Sequence, residues 1–354
     1  MKNKITTFMF IVYLVLLAVL HIAFEDNTIS STERRELTKF PSFELSSTYI
    51  TKVEKYLLDQ FPYRDEYRSI KATFNYSILQ KLENNSIYLK DNKIYKSNYP
   101  TNQNSINNFI NKTNSIQNLL SETNKTYIMI VPDKNYYLED ENFLQIDYDY
   151  IYSEIEKLNI TNIDVTNTLS LEDYYDTDTH WKQENLNKVV YEMSKVMNFN
   201  YQETDYTQNE YNNFYGVYYG ESAIKRDGEK LIYLTNDTID NATVSYLENK
   251  SLNKVYNKEK LTSLDSYEVY LDGASSFIEI TNPNSTSDRE LVIFRDSFGS
   301  SITPLLIEYY SKITLIDNRY ITSGNFLNYI TFKDQDILFL YSTLLINSSG
   351  ALKG

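Results

Sequence analysis

Five short apolar runs, rich in β-branched residues, recur along the chain: TYIMIVP from Thr126 to Pro132, ITNIDV from Ile160 to Val165, LVIF from Leu291 to Phe294, ITLID from Ile313 to Asp317 and DILFLY from Asp336 to Tyr341. Unbroken apolar runs of this length suit strands that are buried on both faces, which is the condition of a parallel sheet. Stretches with helical spacing separate most of them. One carries Ile106, Phe109, Ile110, Ile116 and Leu119; another, from Glu184 to Met197, sets Leu186, Val189, Val190 and Met193 on one face. The alternation predicts an α/β fold, a mostly parallel sheet sandwiched between helices, whose functional site lies at the carboxyl ends of the strands. From about residue 199 to 283 the rhythm breaks into a Tyr-rich, turn-rich segment that predicts short antiparallel strands, a β-rich insertion on the α/β core. No internal repeat is visible.

Two lysines, Lys2 and Lys4, precede an uncharged run from Ile5 to Phe24. About 20 helical residues cross the ~30 Å hydrocarbon core of a bilayer. Residues 1–24 therefore read as a transmembrane signal anchor with the lysines cytoplasmic and the rest of the chain outside. A cleaved signal peptide is the alternative, although no small-residue cleavage pattern follows. His21 lies in this span as a passenger. Residues 25–85 read as a polar linker followed by a helical hairpin, with Ile50, Val53, Leu57 and Phe61 on one helix, Ile70, Phe74 and Ile78 on the next, and Pro62 breaking between them. Those apolar faces are expected to pack at the base of the main domain, residues 86–354.

Composition closes several routes. The chain has no cysteine, which excludes thiol nucleophiles, disulfides and zinc knuckles together. Its formal net charge of -14 argues against DNA, RNA and an anionic membrane surface, all of which require a basic face. The chemistry must come from oxygen and from imidazole, and there are only two histidines.

The second histidine sits in DTDTHW, Asp176 to Trp181, beside the single tryptophan. In an extended segment Asp176, Asp178 and His180 share a face. An aspartate two residues before a histidine can accept the Nδ1 proton and leave Nε2 free as a base. RDSFGSS supplies the nucleophile: Ser297 follows the Leu291–Phe294 strand where a helix begins, at the strand edge, beside a helix amino terminus that favours developing negative charge. Simpler readings stand beside this one. Ser297 could only cap its helix, His180 could be structural packing beside Trp181, and the two aspartates with His180 could hold a metal, although that set is short of ligands.

EDYYDTDTHW and LVIFRDSFGSSITPLLIEYYSKITLIDNRY resemble the DHHW family of clostridial surface proteins, relatives of the SGNH-hydrolase-like alginate O-acetyltransferases. ERRELTKFPSF, YLLDQFPYRD, MIVPDK, NNFYGVYYG and the terminal DILFLY extend the resemblance from about Ser31 to the end. It implies an SGNH-hydrolase-like α/β/α sandwich in which Asp178 orients, His180 is the base and Ser297 the nucleophile. Asn318, Arg319 and Tyr320, after the next strand, and Tyr215 and Gly216 of the FYG turn, are further candidates for substrate binding or oxyanion donation. Two departures stand out: Thr179 replaces the histidine that gives DHHW its name, and Arg295 stands where SGNH esterases have a glycine before Asp-Ser. The resemblance implies a membrane-anchored, extracytoplasmic polysaccharide O-acetyltransferase, without metal or other cofactor, fed acetyl groups by a membrane-bound O-acyltransferase partner. A carbohydrate acetylesterase and a non-catalytic polysaccharide-binding or assembly protein are the alternatives from the same residues.

Overall fold

A computed structural model describes residues 2–138, 142–248 and 253–353; the stretch 249–252 of the expected insertion lies outside the described residues. The chain divides into two compact units, Met1–Asn85 with Tyr219–Arg226, and Ser86–Tyr218 with Asp227–Gly354.

The first unit begins with helix α1 (Lys2–Ala23), which from Lys4 onward is long and apolar enough to cross a bilayer. The expected polar linker is ordered: Ile29–Ser30 pairs antiparallel with Arg35–Glu36. Helices α2 (Ser47–Asp59) and α3 (Arg64–Thr73) follow, and α3 runs on into a π-helical turn, Phe74–Ile78. Their interior is polar. Asp59 accepts from Arg35 Nη1 and Nη2 (3.0 and 2.6 Å) and from the backbone and side chain of Thr38 (2.9 and 2.8 Å). Glu33 bridges Arg64 and Arg68 at 2.6 and 3.1 Å. Gln60 holds both backbone groups of Asn27. The Arg35 guanidinium, with the Thr38 donors, holds the Asp59 carboxyl far below the usual carboxylate range despite its burial. Of the expected apolar stripe, Ile50, Leu57, Ile70, Phe74 and Ile78 are exposed and Val53 and Phe61 half-buried. Amphipathic periodicity gives two faces but does not say which one turns inward.

The second unit is built on a seven-stranded sheet. Its strands are β1 (Lys125–Val131), β2 (Thr161–Asn162), β3 (Thr243–Tyr246), β4 (Phe277–Thr281), β5 (Glu290–Arg295), β6 (Lys312–Ile316) and β7 (Asp336–Ser342), in spatial order β3-β4-β6-β5-β7-β1-β2. The five strands from β6 to β2 are parallel, while β3 and β4 add an antiparallel edge. The insertion is therefore partly structural: its last two strands extend the main sheet, while Thr207–Phe214 and Glu229–Thr235 form a separate hairpin.

Side chains of the central strands divide by parity. Met129, Val131, Leu291, Ile293, Leu338 and Leu340 join a core with helices α6 (Asn187–Met197) and α7 (Phe298–Leu306), and Ile128, Ile130, Val292, Phe294, Ile337 and Phe339 join another with α4 (Gln103–Gln117), α5 (Tyr148–Ile155) and α8 (Thr343–Asn347). Each such side chain stabilises by roughly 1.5–3 kcal/mol when fully buried. Covering both faces leaves the loops at the carboxyl edge as the place where polar groups can converge. The architecture is the α/β/α sandwich expected from the strand runs.

Candidate active site

Ser297 stands at the join between β5 and α7, with helical backbone angles (φ -64°, ψ -21°). The residue before it fixes that join. Asp296 Oδ1 accepts from the Phe298 N–H at 3.0 Å, and its Oδ2 accepts from the N–H and hydroxyl of Ser342 at 2.8 and 2.7 Å. One carboxylate thus starts the helix and ties the end of β5 to the end of β7.

The histidine arrives from a bent loop, not the extended segment inferred from its spacing. Tyr174 and Trp181 form an antiparallel bridge, the Tyr175 N–H donates to the His180 carbonyl at 3.1 Å, and the intervening residues bend back. Asp178 Oδ2 lies 2.7 Å from His180 Nδ1, and His180 Nε2 lies 2.7 Å from Ser297 Oγ. Asp178 and His180 are buried. Asp178 Oδ1 accepts from the Val217 N–H at 2.9 Å, so both carboxylate oxygens are engaged. The bend turns Asp176 away to Lys93, 2.7 Å distant.

Several groups that spacing alone did not reveal hold this loop. Glu229 accepts from the backbone of Asp176 and Thr177 at 2.8 and 2.7 Å and from the Thr177 hydroxyl. The buried Lys134 Nζ donates to the carbonyls of Tyr175 and Asp176, both at 3.1 Å. Burial pushes the Lys134 ammonium down to about 7, with Asp178, Glu229 and Asp176 opposing the fall. The Tyr267 ring lies flat on the His180 imidazole, centroids 3.9 Å apart and planes 8° from parallel. Its hydroxyl and the Trp181 Nε1–H both reach Ser301 Oγ at 2.8 Å, one turn after Ser297. The indole is therefore part of the support for α7. Only the MIVPDK segment hinted at Lys134; nothing marked Tyr267 among 34 tyrosines.

The remaining candidates fall into two groups. The Gly216 N–H donates to Thr177 Oγ1 at 2.8 Å, which takes it out of the oxyanion donors and makes it a support of the Asp178 loop. A Cβ at Gly216 would lie 2.3 Å from Asp178 Cβ and from the Thr177 carbonyl oxygen. Tyr215, half-buried, approaches Gly228. Asn318, Arg319 and Tyr320 do lie past the end of β6, the strand beside β5. Arg319 is tied to Asp317 by Nε and Nη2 at 2.9 and 2.7 Å, Asn318 is buried, and the exposed Tyr320 ring lies 5.5 Å from the Arg319 guanidinium. No hydrogen bond joins any of the three to Ser297 or His180 among the described residues. Arg295 runs under α7 against Gly299 and donates to Ser300 Oγ at 3.0 Å.

No family model and no curated protein sequence matches the chain. Solved structures do. A DHHW family protein from Eubacterium siraeum superposes with a TM-score of 0.64 at 19% identity, covering 76% of this chain and 94% of that one. Bacillus cereus PatB1 with a sulfonyl adduct superposes with a TM-score of 0.59 at 18% identity, over 73% of this chain and 97% of that one, and a second PatB1 structure gives the same TM-score at 16% identity. The chain thus shares its fold with a DHHW family protein and with PatB1.

Proposed function

We propose that this chain is an extracytoplasmic O-acetyltransferase that acylates hydroxyls of a cell-surface or secreted polysaccharide through a serine ester. The observation that carries the reading is the continuous hydrogen-bonded path from Asp178 through His180 to Ser297, two contacts of 2.7 Å at the carboxyl edge of a parallel sheet. The fold shared with a DHHW family protein supports it, as does an amino-terminal helix able to anchor the chain.

In this mechanism His180 Nε2 takes the Ser297 proton as Oγ attacks the carbonyl carbon of an acetyl donor. Asp178 fixes the imidazole tautomer and stabilises the imidazolium. The flat Tyr267 ring favours the same cation by its π face. The positive end of α7, whose Phe298 N–H is held by Asp296, favours the oxyanion of the tetrahedral intermediate through its dipole, and the Ser297 backbone N–H is the proposed donor to it. Collapse of the intermediate expels the donor's oxygen, which leaves with the proton held by His180. A sugar hydroxyl then gives its proton to His180, attacks the serine ester and leaves as the acetylated product, returning the proton to Ser297 Oγ. Water in place of the sugar turns the cycle into hydrolysis. A membrane-bound O-acyltransferase is the proposed source of the donor acetyl group.

The test is acetate release from p-nitrophenyl acetate, and transfer to oligosaccharide acceptors, by the full chain in detergent. Ser297→Ala and His180→Ala should each abolish both activities with unchanged circular dichroism. A wild-type rate in either variant would overturn the assignment. Hydrolysis that no acceptor suppresses would replace the transferase reading with the esterase.

A further inference from the structure

In α3 the side chains that turn inward are the small Ala72, the partly buried Arg64 and Arg68, and Asn75 of its π-helical extension, whereas the large apolar Ile70, Phe74 and Ile78 turn outward with exposures of 64%, 50% and 66%. In α2 the inward end is Asp59, while Ile50 is 70% exposed. This is the reverse of an amphipathic hairpin in water, whose apolar stripe faces the core. A continuous apolar face on a monomer marks contact with something other than water.

What it contacts is indicated by α1. Within this unit the hairpin packs along the outer part of the anchor helix: the His21 and Tyr56 rings are 5.7 Å apart, Phe24 and Tyr63 are 5.5 Å apart, and Tyr13 Oη lies 3.4 Å from Tyr67 Oη. Tyr13 is ten residues before Ala23, about 15 Å along the helix at 1.5 Å per residue. An element that lies against that length of a membrane-crossing helix shares its surroundings. The aromatic side chains at the junction are those enriched where hydrocarbon meets headgroups. The charge sign also changes locally. From Ser47 to Leu82 there are six Lys and Arg against four Asp and Glu, in a chain that carries 34 against 48 overall. Lys55, Lys71 and Lys81 are exposed and able to reach lipid phosphates.

We infer that α2, α3 and the π-helical turn lie in the outer leaflet of the membrane, with Ile50, Leu57, Ile70, Phe74 and Ile78 in the acyl chains and the charges of Asp59, Glu33, Arg35, Arg64 and Arg68 paired with one another within the unit. The inference rests on α1 being the anchor. A paired interior makes those charges tolerable near hydrocarbon.

Because the chain has no cysteine, single cysteines can be placed and labelled without background. Ile50→Cys, Ile70→Cys, Phe74→Cys and Ile78→Cys, with Leu16→Cys in α1 and Asn104→Cys in the second unit, are made in the full chain. Each carries an environment-sensitive fluorophore and is reconstituted in phosphatidylcholine and phosphatidylglycerol vesicles. Nitroxide-labelled acyl chains should quench the four hairpin positions as they quench Leu16→Cys, and iodide should quench only Asn104→Cys. Iodide quenching at the hairpin with lipid quenching at Leu16→Cys overturns the inference and leaves the anchor standing. Shielding from both quenchers assigns the face to a protein partner and overturns it as well. Loss of lipid quenching at Leu16→Cys removes the anchor and the inference with it.

Discussion

Gly216→Ala offers a sharp probe of how the Asp178 loop is held. The added Cβ would lie 2.3 Å from the Thr177 carbonyl oxygen and from Asp178 Cβ, and 2.4 Å from Asp178 Cα, where ordinary contact begins at 3.4 Å. Two of those three neighbours are backbone atoms, so no side-chain rotation relieves the clash. The loop must retreat by roughly 1 Å, and overpacking of this kind costs about 1–3 kcal/mol. A large domain loses about 2–4 °C of Tm for each kcal/mol. The larger effect is on chemistry, because the same displacement moves the carboxylate that orients His180. A 1 Å misplacement costs on the order of 10²-fold. The assay is kcat/KM for p-nitrophenyl acetate, measured well below the melting transition, beside a thermal melt of the same preparation. Wild-type kcat/KM with a lowered Tm would refute the claim that this glycine positions Asp178, and an unchanged Tm would refute the clash itself.

Two further outcomes follow from the surrounding side chains. Replacing Tyr267 by Leu removes the ring stacked on His180 and should lower kcat about two- to thirtyfold, the rate equivalent of a cation–π contact of about 0.5–2 kcal/mol. Tyr267→Phe should keep most of the rate, and equal rates in the two variants would argue against the stack. Lys134 gives a pH signature. Its folded-state pKa is about 7 against an ordinary 10.5, so between these values the unfolded chain binds the extra proton and stability rises with pH. The gain reaches at most about 1.4 kcal/mol per pH unit, and the penalty is fully present below pH 7. Urea midpoints at pH 7 and pH 9 should therefore diverge in the wild type more than in Lys134→Met, and parallel shifts would contradict the buried-ammonium account.

The sheet was legible because its central strands are buried on both faces, which leaves unbroken apolar runs such as Leu291–Phe294 and Ile337–Leu340. Strand β2 was less so: only Thr161 and Asn162 of the ITNIDV run pair, since an edge strand needs few partners. Asp178, His180 and Ser297 were legible for a different reason. A rare residue type beside aspartates, and a serine at a strand-to-helix join, are local signals. Their support is not local. Tyr267 lies far along the chain from His180 and is one tyrosine of 34, and Glu229 grips the loop through backbone amides that any sequence possesses. Gly216 was marked as a turn, but its need for a missing side chain arises from Thr177 and Asp178 across the fold. The hairpin shows the opposite limit: the spacing of Ile70, Phe74 and Ile78 revealed an apolar face and gave no sign of what covers it.

Trp181 sits where its indole N–H donates to Ser301 Oγ and, at 3.2 Å, to the Phe298 carbonyl, inside the first turn after Ser297. It is the chain's single indole, so the red-edge emission of the whole protein reports one side chain, hydrogen-bonded to the nucleophile's helix. An acyl group arriving on Ser297 changes the field at that helix start, and the emission should step once per enzyme as the ester forms. The fold thus contains its own clock for separating acylation from transfer, readable in stopped flow with an unlabelled donor and without a chromogenic leaving group.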